Sequence, residues 1–169
     1  MKLAVDVDYE NDAAHIAGVA FSAWEDAEPS AIYTSDLSGI EAYEPGSFFK
    51  RELPCILKLL HEHELTPECI VIDGFVYLDG EKDAGLGKHL YDALDGKSSI
   101  IGVTKRPFKN TPESCKVYRG QSSQPLYVTS EGMAADAAKA YITSMHGKYR
   151  IPDLLKKADQ VCRSAEQSQ

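Results

Sequence analysis

Residues 3–9, Leu-Ala-Val-Asp-Val-Asp-Tyr, alternate with a period of two. That pattern is a strand, with Leu3, Val5, Val7 and Tyr9 on one face and Ala4, Asp6 and Asp8 on the other. Glu10-Asn11-Asp12 reads as a turn, His15–Trp24 as a second strand and Ala31–Tyr33 as a short third. Three early strands joined by short turns predict an antiparallel meander.

A different rhythm follows. Tyr43-Glu44-Pro45-Gly46-Ser47 interrupts regular structure, and Ser47 is placed to cap a helix running to about residue 64. Phe48, Phe49, Leu53, Ile56, Leu57 and Leu60 fall at helical spacing along it. Pro54 is cheap in a first turn and kinks a helix if it lies deeper. A short apolar strand over 68–72 ends at Asp73-Gly74, a polar loop follows, and a helix is expected over 84–94. Residues 99–104 form the next strand, so the unit is strand–helix–strand, parallel and right-handed. Short strands at 116–119 and 126–129 and helices at about 133–145 and 153–163 complete the pattern. The expectation is an α/β fold with a mixed sheet flanked by helices. A length of 169 residues fits one domain, 1–163, with 164–169 as a frayed tail.

Composition excludes several classes. No apolar run approaches the ~18 residues of a membrane span, and acids in the first residues argue against a secretory signal. Cys55, Cys69, Cys115 and Cys162 show no Cys-x-x-Cys spacing, so reduced thiols and a cytoplasmic setting are expected. The net charge of −8 hides an asymmetry: residues 1–95 carry 6 basic and 20 acidic side chains, residues 96–169 carry 12 and 6. An acidic half joined to a basic half suits a carboxylate metal site beside a phosphate-binding surface.

Three carboxylates break the local hydrophobic pattern. Asp6 lies mid-strand, Asp73 ends an apolar strand, and Glu52 sits one helical turn from both Phe48 and Ile56. Singly, each reads better as an edge-strand acid, a turn residue or a solvated helix acid. Together, on adjacent elements, they point to a divalent cation, because burying carboxylates uncompensated costs several kcal/mol and Mg²⁺ takes hard oxygen ligands. Lys105 follows an apolar strand, where a cation can reach a bound phosphate. Residues 80–88 lack the Gly-Lys-Ser/Thr ending of a phosphate loop. His61 and His63, two apart, cannot share a helical face.

The motifs Asp6-Val7-Asp8-Tyr9, Tyr43-Glu44-Pro45-Gly46-Ser47-Phe48-Phe49-Lys50-Arg51-Glu52-Leu53-Pro54, Ile72-Asp73-Gly74, Gly85-Leu86-Gly87-Lys88-His89-Leu90 and Gly102-Val103-Thr104-Lys105 resemble, in order and spacing, those of the endonuclease V family. The likeness runs from residue 2 to about residue 157. It implies a ribonuclease H-like fold and Mg²⁺- or Mn²⁺-dependent cleavage near inosine in DNA or RNA. Asp6, Glu52 and Asp73 resemble the family's metal-binding carboxylates, and Lys105 its catalytic lysine. Tyr43 matches the strand-separating wedge. Gly46, Phe48, Gly74, Gly85 and Leu86 match positions lining the pocket for the flipped base.

The chain departs from the family pattern in three places. Asp79 stands where a histidine near base and metal is usual, Met133 after Gly132 replaces a second histidine, and no counterpart of the leading helical segment of longer members is expected. A monomeric nuclease of repair or processing is expected, with the basic segments of the C-terminal half (Arg106, Lys109, Lys116, Arg119, Lys148 and Arg150) holding the nucleic-acid backbone. Two rivals share the pattern: an inosine-binding protein that has lost turnover, and a ribonuclease H-fold nuclease with another substrate.

Overall fold

The computed structural model describes residues 1–40 and 49–164. Among the described residues, seven strands form one mixed sheet: β1 (Lys2–Glu10), β2 (Ala13–Phe21), β3 (Ala31–Ser38), β4 (Cys69–Asp73), β5 (Ser99–Thr104), β6 (Lys116–Val117) and β7 (Leu126–Glu131). Their order is β3-β2-β1-β4-β5-β7-β6. The meander β1-β2-β3 is antiparallel, β4 and β5 run parallel to β1, and β7 returns antiparallel to β5. Four α-helices among the described residues accompany it: α1 (Phe49–Glu62), α2 (Leu86–Ala93), α3 (Ala135–Ser144) and α4 (Asp153–Ser164).

The period-two pattern explains the layers. Leu3, Val5, Ile70, Ile72 and Ile100 face α1 and α2, meeting Ile56, Leu59, Leu86 and Leu90. Ala4, Val71, Ile101, Val103 and Val128 face the other way, onto Ile142, Leu154 and Ala158 of α3 and α4. Asp6 and Asp73, two residues beyond Ala4 and Val71, therefore belong to the α4 side.

Some boundaries move for identifiable reasons. The second strand ends at Phe21 rather than Trp24, because the Asp26 carboxylate accepts the amides of Ser22 and Ala23 (3.1 and 2.9 Å) and turns the chain. Strand β3 runs on to Ser38; its polar Thr34-Ser35-Asp36 segment carries no apolar signal but pairs in register with β2. Strand β6 is two residues long, ending before Arg119. The expected cap Ser47 lies outside the described residues, and Pro54 falls in the second turn of α1. All four cysteines are free and buried. Among the described residues, no helix is long and apolar enough to cross a membrane.

A packing constraint fixes the end of β4. A Cβ on Gly102, in β5, would stand 2.3 Å from the Gly74 carbonyl oxygen and 3.0 Å from both the Thr129 hydroxyl and the Val76 nitrogen. Only glycine lets the turn after Asp73 lie this close. The Val76 amide then donates to Thr129 Oγ1 at 2.8 Å, a buried bond that ties the turn to β7.

Candidate active site

Register brings the first two carboxylates together. Val5 pairs with Ile72, so Asp6 and Asp73 are the next residues along neighbouring parallel strands and share a face. Both line a cavity of about 310 Å³ under α4, together with Val103, Lys105, Arg150 and Asp159. Glu52 does not line it. It sits in the first turn of α1, on the opposite layer, and is only 7% exposed.

Electrostatics nevertheless join all three. Burial above all, then the Asp73 charge, push the Asp6 carboxyl up to about 8. Asp159 and Glu52 add to this, while the Val7 amide, donating to Asp6 Oδ1 at 2.9 Å, opposes it. Burial raises Glu52 to about 7, and the Asp73 charge contributes. The Tyr9 hydroxyl eases that rise, although it makes no full hydrogen bond among the described residues. Asp73 is also raised by burial, and the Lys105 charge counters this. Protein crowds around Asp73 although its side chain opens to solvent at the cleft mouth, so screening tempers the effect.

Asp159 escaped the sequence reading. Helix α4 presents Lys156, Lys157, Gln160 and Arg163 and looks solvated, yet Leu154, Ala158 and Cys162 are its buried stripe. Asp159 borders that stripe, one turn after Leu155, and this placement was the available signal. One Asp6 oxygen, one Asp159 oxygen and Cys162 Sγ lie within 4.8 Å of one another. One Asp8 oxygen is buried without a hydrogen-bond partner among the described residues, and the Asp8 charge acts on Cys162. Several acids whose repulsion raises their affinity for protons, one orphaned carboxylate oxygen and a set of hard oxygen donors fit a divalent cation.

Other positions fall as follows. Tyr43, Gly46 and Phe48 lie outside the described residues. Gly74, Gly85 and Leu86 adjoin one another: a Cβ on Gly74 would meet Leu86 Cδ2 at 3.5 Å, and one on Gly85 would meet the Phe75 carbonyl at 2.6 Å. Phe49 stacks on His89 of α2 (3.8 Å, 17°), tying the start of α1 to this patch.

Asp79 is turned into its own loop. Its Oδ1 accepts the amides of Glu81, Lys82 and Asp83 at 2.8–3.0 Å, and these bonds pull its carboxyl down to about 2. Arg119 corrects the expected basic surface. It is buried and donates to the carbonyls of Met145, Gly147, Tyr149 and Arg150, holding the α3–α4 connection rather than facing outward. Arg150 lines the cavity but also donates to the Pro125 and Lys105 carbonyls.

The family model for endonuclease V matches residues 3–129. The chain belongs to the endonuclease V family. The endonuclease V of Streptomyces avermitilis is 30% identical over 143 residues, covering 73% of this chain and 61% of that protein. The chain thus spans less than two thirds of that relative's length. The crystal structure of endonuclease V from Streptomyces avermitilis superposes with a TM-score of 0.79 at 27% identity, covering 98% of this chain and 81% of the other. Endonuclease V of Ciona intestinalis, described in complex with a 24mer DNA containing an inosine followed by a ribo-adenosine, shares the fold (TM-score 0.79, 18% identity, 99% and 85% covered). The fold is ribonuclease H-like, as the motifs implied.

Proposed function

We propose that this protein is a divalent-metal-dependent endonuclease that hydrolyses a phosphodiester near inosine in DNA or RNA. The observation that carries the reading is the cleft that gathers Asp6, Asp73 and Asp159 beneath α4 with Lys105 on its rim. Membership of the family and the inosine-containing DNA held by the Ciona relative support the substrate class.

Asp6, Asp73 and Asp159 would hold Mg²⁺ or Mn²⁺, with Glu52 completing the carboxylate set from the α1 layer. Such a cation supplies Lewis acidity and a water nucleophile at neutral pH. The remaining work belongs to the chain. The β1–β4 register fixes the separation of Asp6 and Asp73 before any ligand arrives, so little reorganisation accompanies catalysis. Lys105, exposed on the cavity lining and acting on Asp73 through its charge, can offset charge developing on the phosphate oxygens. Gly74, Gly85 and Leu86 offer backbone and one apolar side chain, a surface on which an extruded base can lie flat. Asp79, committed to its loop amides, takes no part in base reading on this account. Inosine selectivity therefore rests on the glycine patch and on Tyr43, Gly46 and Phe48.

The test is incubation of labelled inosine-containing and matched control strands, DNA and RNA, with Mg²⁺, Mn²⁺ or EDTA. Cleavage should need both the metal and the inosine. Specific binding without cleavage would overturn turnover in favour of a binding protein. Cleavage indifferent to inosine would overturn the substrate.

A further inference from the structure

Helix α4 adds something to this cleft that oxygen ligation of Mg²⁺ does not use. Three residues after Asp159 it carries Cys162, whose side chain is only 2% exposed and whose thiol donates to the Asp159 carbonyl at 3.2 Å. The sulfur does not face the apolar core alone. It looks across to β1, within 4.8 Å of an Asp6 oxygen and an Asp159 oxygen. The Asp8 carboxylate, one oxygen of which is buried with no hydrogen-bond partner among the described residues, acts on the same thiol through its charge. Cys55, Cys69 and Cys115 belong to no such cluster among the described residues.

We propose that Asp6, Asp159 and Cys162 form a mixed oxygen–sulfur site that takes a thiophilic divalent cation, Zn²⁺ or Cd²⁺, in preference to Mg²⁺. The inference rests on the reading that these carboxylates hold a divalent cation, and extends it to a second class of ion. Zinc accepts thiolate and carboxylate donors in a tetrahedral shell with bonds of about 2.0–2.3 Å, which holds ligand atoms about 3.5 Å apart. The three side chains need to close by about an ångström to meet that spacing. A water would fill the fourth position. Magnesium gains nothing from sulfur, whereas zinc and cadmium do. Binding replaces the thiol S–H bond with a sulfur–metal bond and releases the proton to solvent. An ion so held draws Asp6 and Asp159 away from the oxygen-only arrangement, and Zn²⁺ becomes an inhibitor of the Mg²⁺ reaction.

The experiment titrates Cd²⁺ into the full chain and follows the ultraviolet sulfur-to-cadmium charge-transfer band, with Cys162→Ser, Cys162→Ala and Cys115→Ser alongside. One equivalent should produce the band in the parent and in Cys115→Ser. Both Cys162 variants should lose it, together with about tenfold or more in Zn²⁺ affinity. A cadmium resonance measured by NMR on the unaltered protein reports one sulfur ligand without relying on any variant. No band in the parent, or a band that survives in a folded Cys162 variant, overturns the proposal. Cleavage of inosine strands with Mg²⁺ is scored separately. A band without cleavage defeats the nuclease reading and leaves the site, while cleavage without a band does the reverse.

Discussion

Replacing Asp6 by asparagine should stabilise the metal-free protein at alkaline pH while ending cleavage. In the fold, burial and neighbouring acids hold the Asp6 carboxyl at about 8, against an ordinary value of 3.8. A raised folded value means that the folded state binds the proton more tightly than the unfolded chain. Stability is therefore fully present at low pH and declines as pH rises, until the folded carboxyl itself ionises near 8. Each tenfold difference in proton affinity is about 1.4 kcal/mol, so the whole difference approaches ~5 kcal/mol at pH 8. The repulsion is shared with Asp73, Asp159 and Glu52, and about 2–3 kcal/mol is assigned to Asp6 itself. Asparagine keeps an acceptor for the Val7 amide and removes the charge. For a domain of this size that corresponds to a melting temperature higher by about 5–10 °C. The assay is thermal unfolding in EDTA at pH 5 and pH 8. The advantage of Asp6→Asn should be large at pH 8 and shrink towards pH 5, and saturating Mg²⁺ should reverse the ranking by stabilising the parent alone. A variant that melts below the parent at pH 8 without metal would refute the reasoning, since Asp6 would then be held by attractive contacts.

Lys105→Ala should lower the cleavage rate by about 100-fold with little change in melting temperature, as its exposed ammonium acts on substrate charge; single-turnover kinetics and a melt separate the two. Arg119→Met should unfold the protein more readily by about 3–5 kcal/mol, read by urea titration, because four carbonyls lose their donor. Nucleic-acid affinity should fall steeply with salt despite the net charge of −8, with a log–log slope of about −0.9 per duplex phosphate neutralised; a flat titration would deny that Lys105, Lys148 and their neighbours meet phosphate.

The parts of this fold that announce themselves in sequence are those where burial imposes a period. Leu3 to Tyr9 could hardly be anything but a strand, and an aspartate within it stood out against its apolar neighbours. Asp73 was visible for the same reason, at the end of Cys69–Ile72. Glu52 was legible as a misplaced acid on a helix margin, although it approaches from the layer opposite Asp6. Asp159 was hidden because helix α4 is short, amphipathic and charged, so an acid there looks like any solvated residue until tertiary packing lays the helix over β1. Arg119 misled for the converse reason: charge in a basic segment reads as surface, and nothing local reveals that a loop thirty residues later will surround it with carbonyls. The polar stretch of β3 is held by backbone pairing to β2, a force that side-chain hydropathy does not record.

Gly102 carries no functional group, yet the placement of Asp73 depends on what it lacks. Any side chain there must displace either the Gly74 carbonyl or the Thr129–Val76 hydrogen bond, and both displacements disturb the turn that directly follows Asp73. In a saturation-mutagenesis screen for lost cleavage, this interior position should therefore prove as intolerant as a metal ligand, even for alanine. An enzyme engineer choosing which residues to leave untouched would have to protect a hydrogen atom.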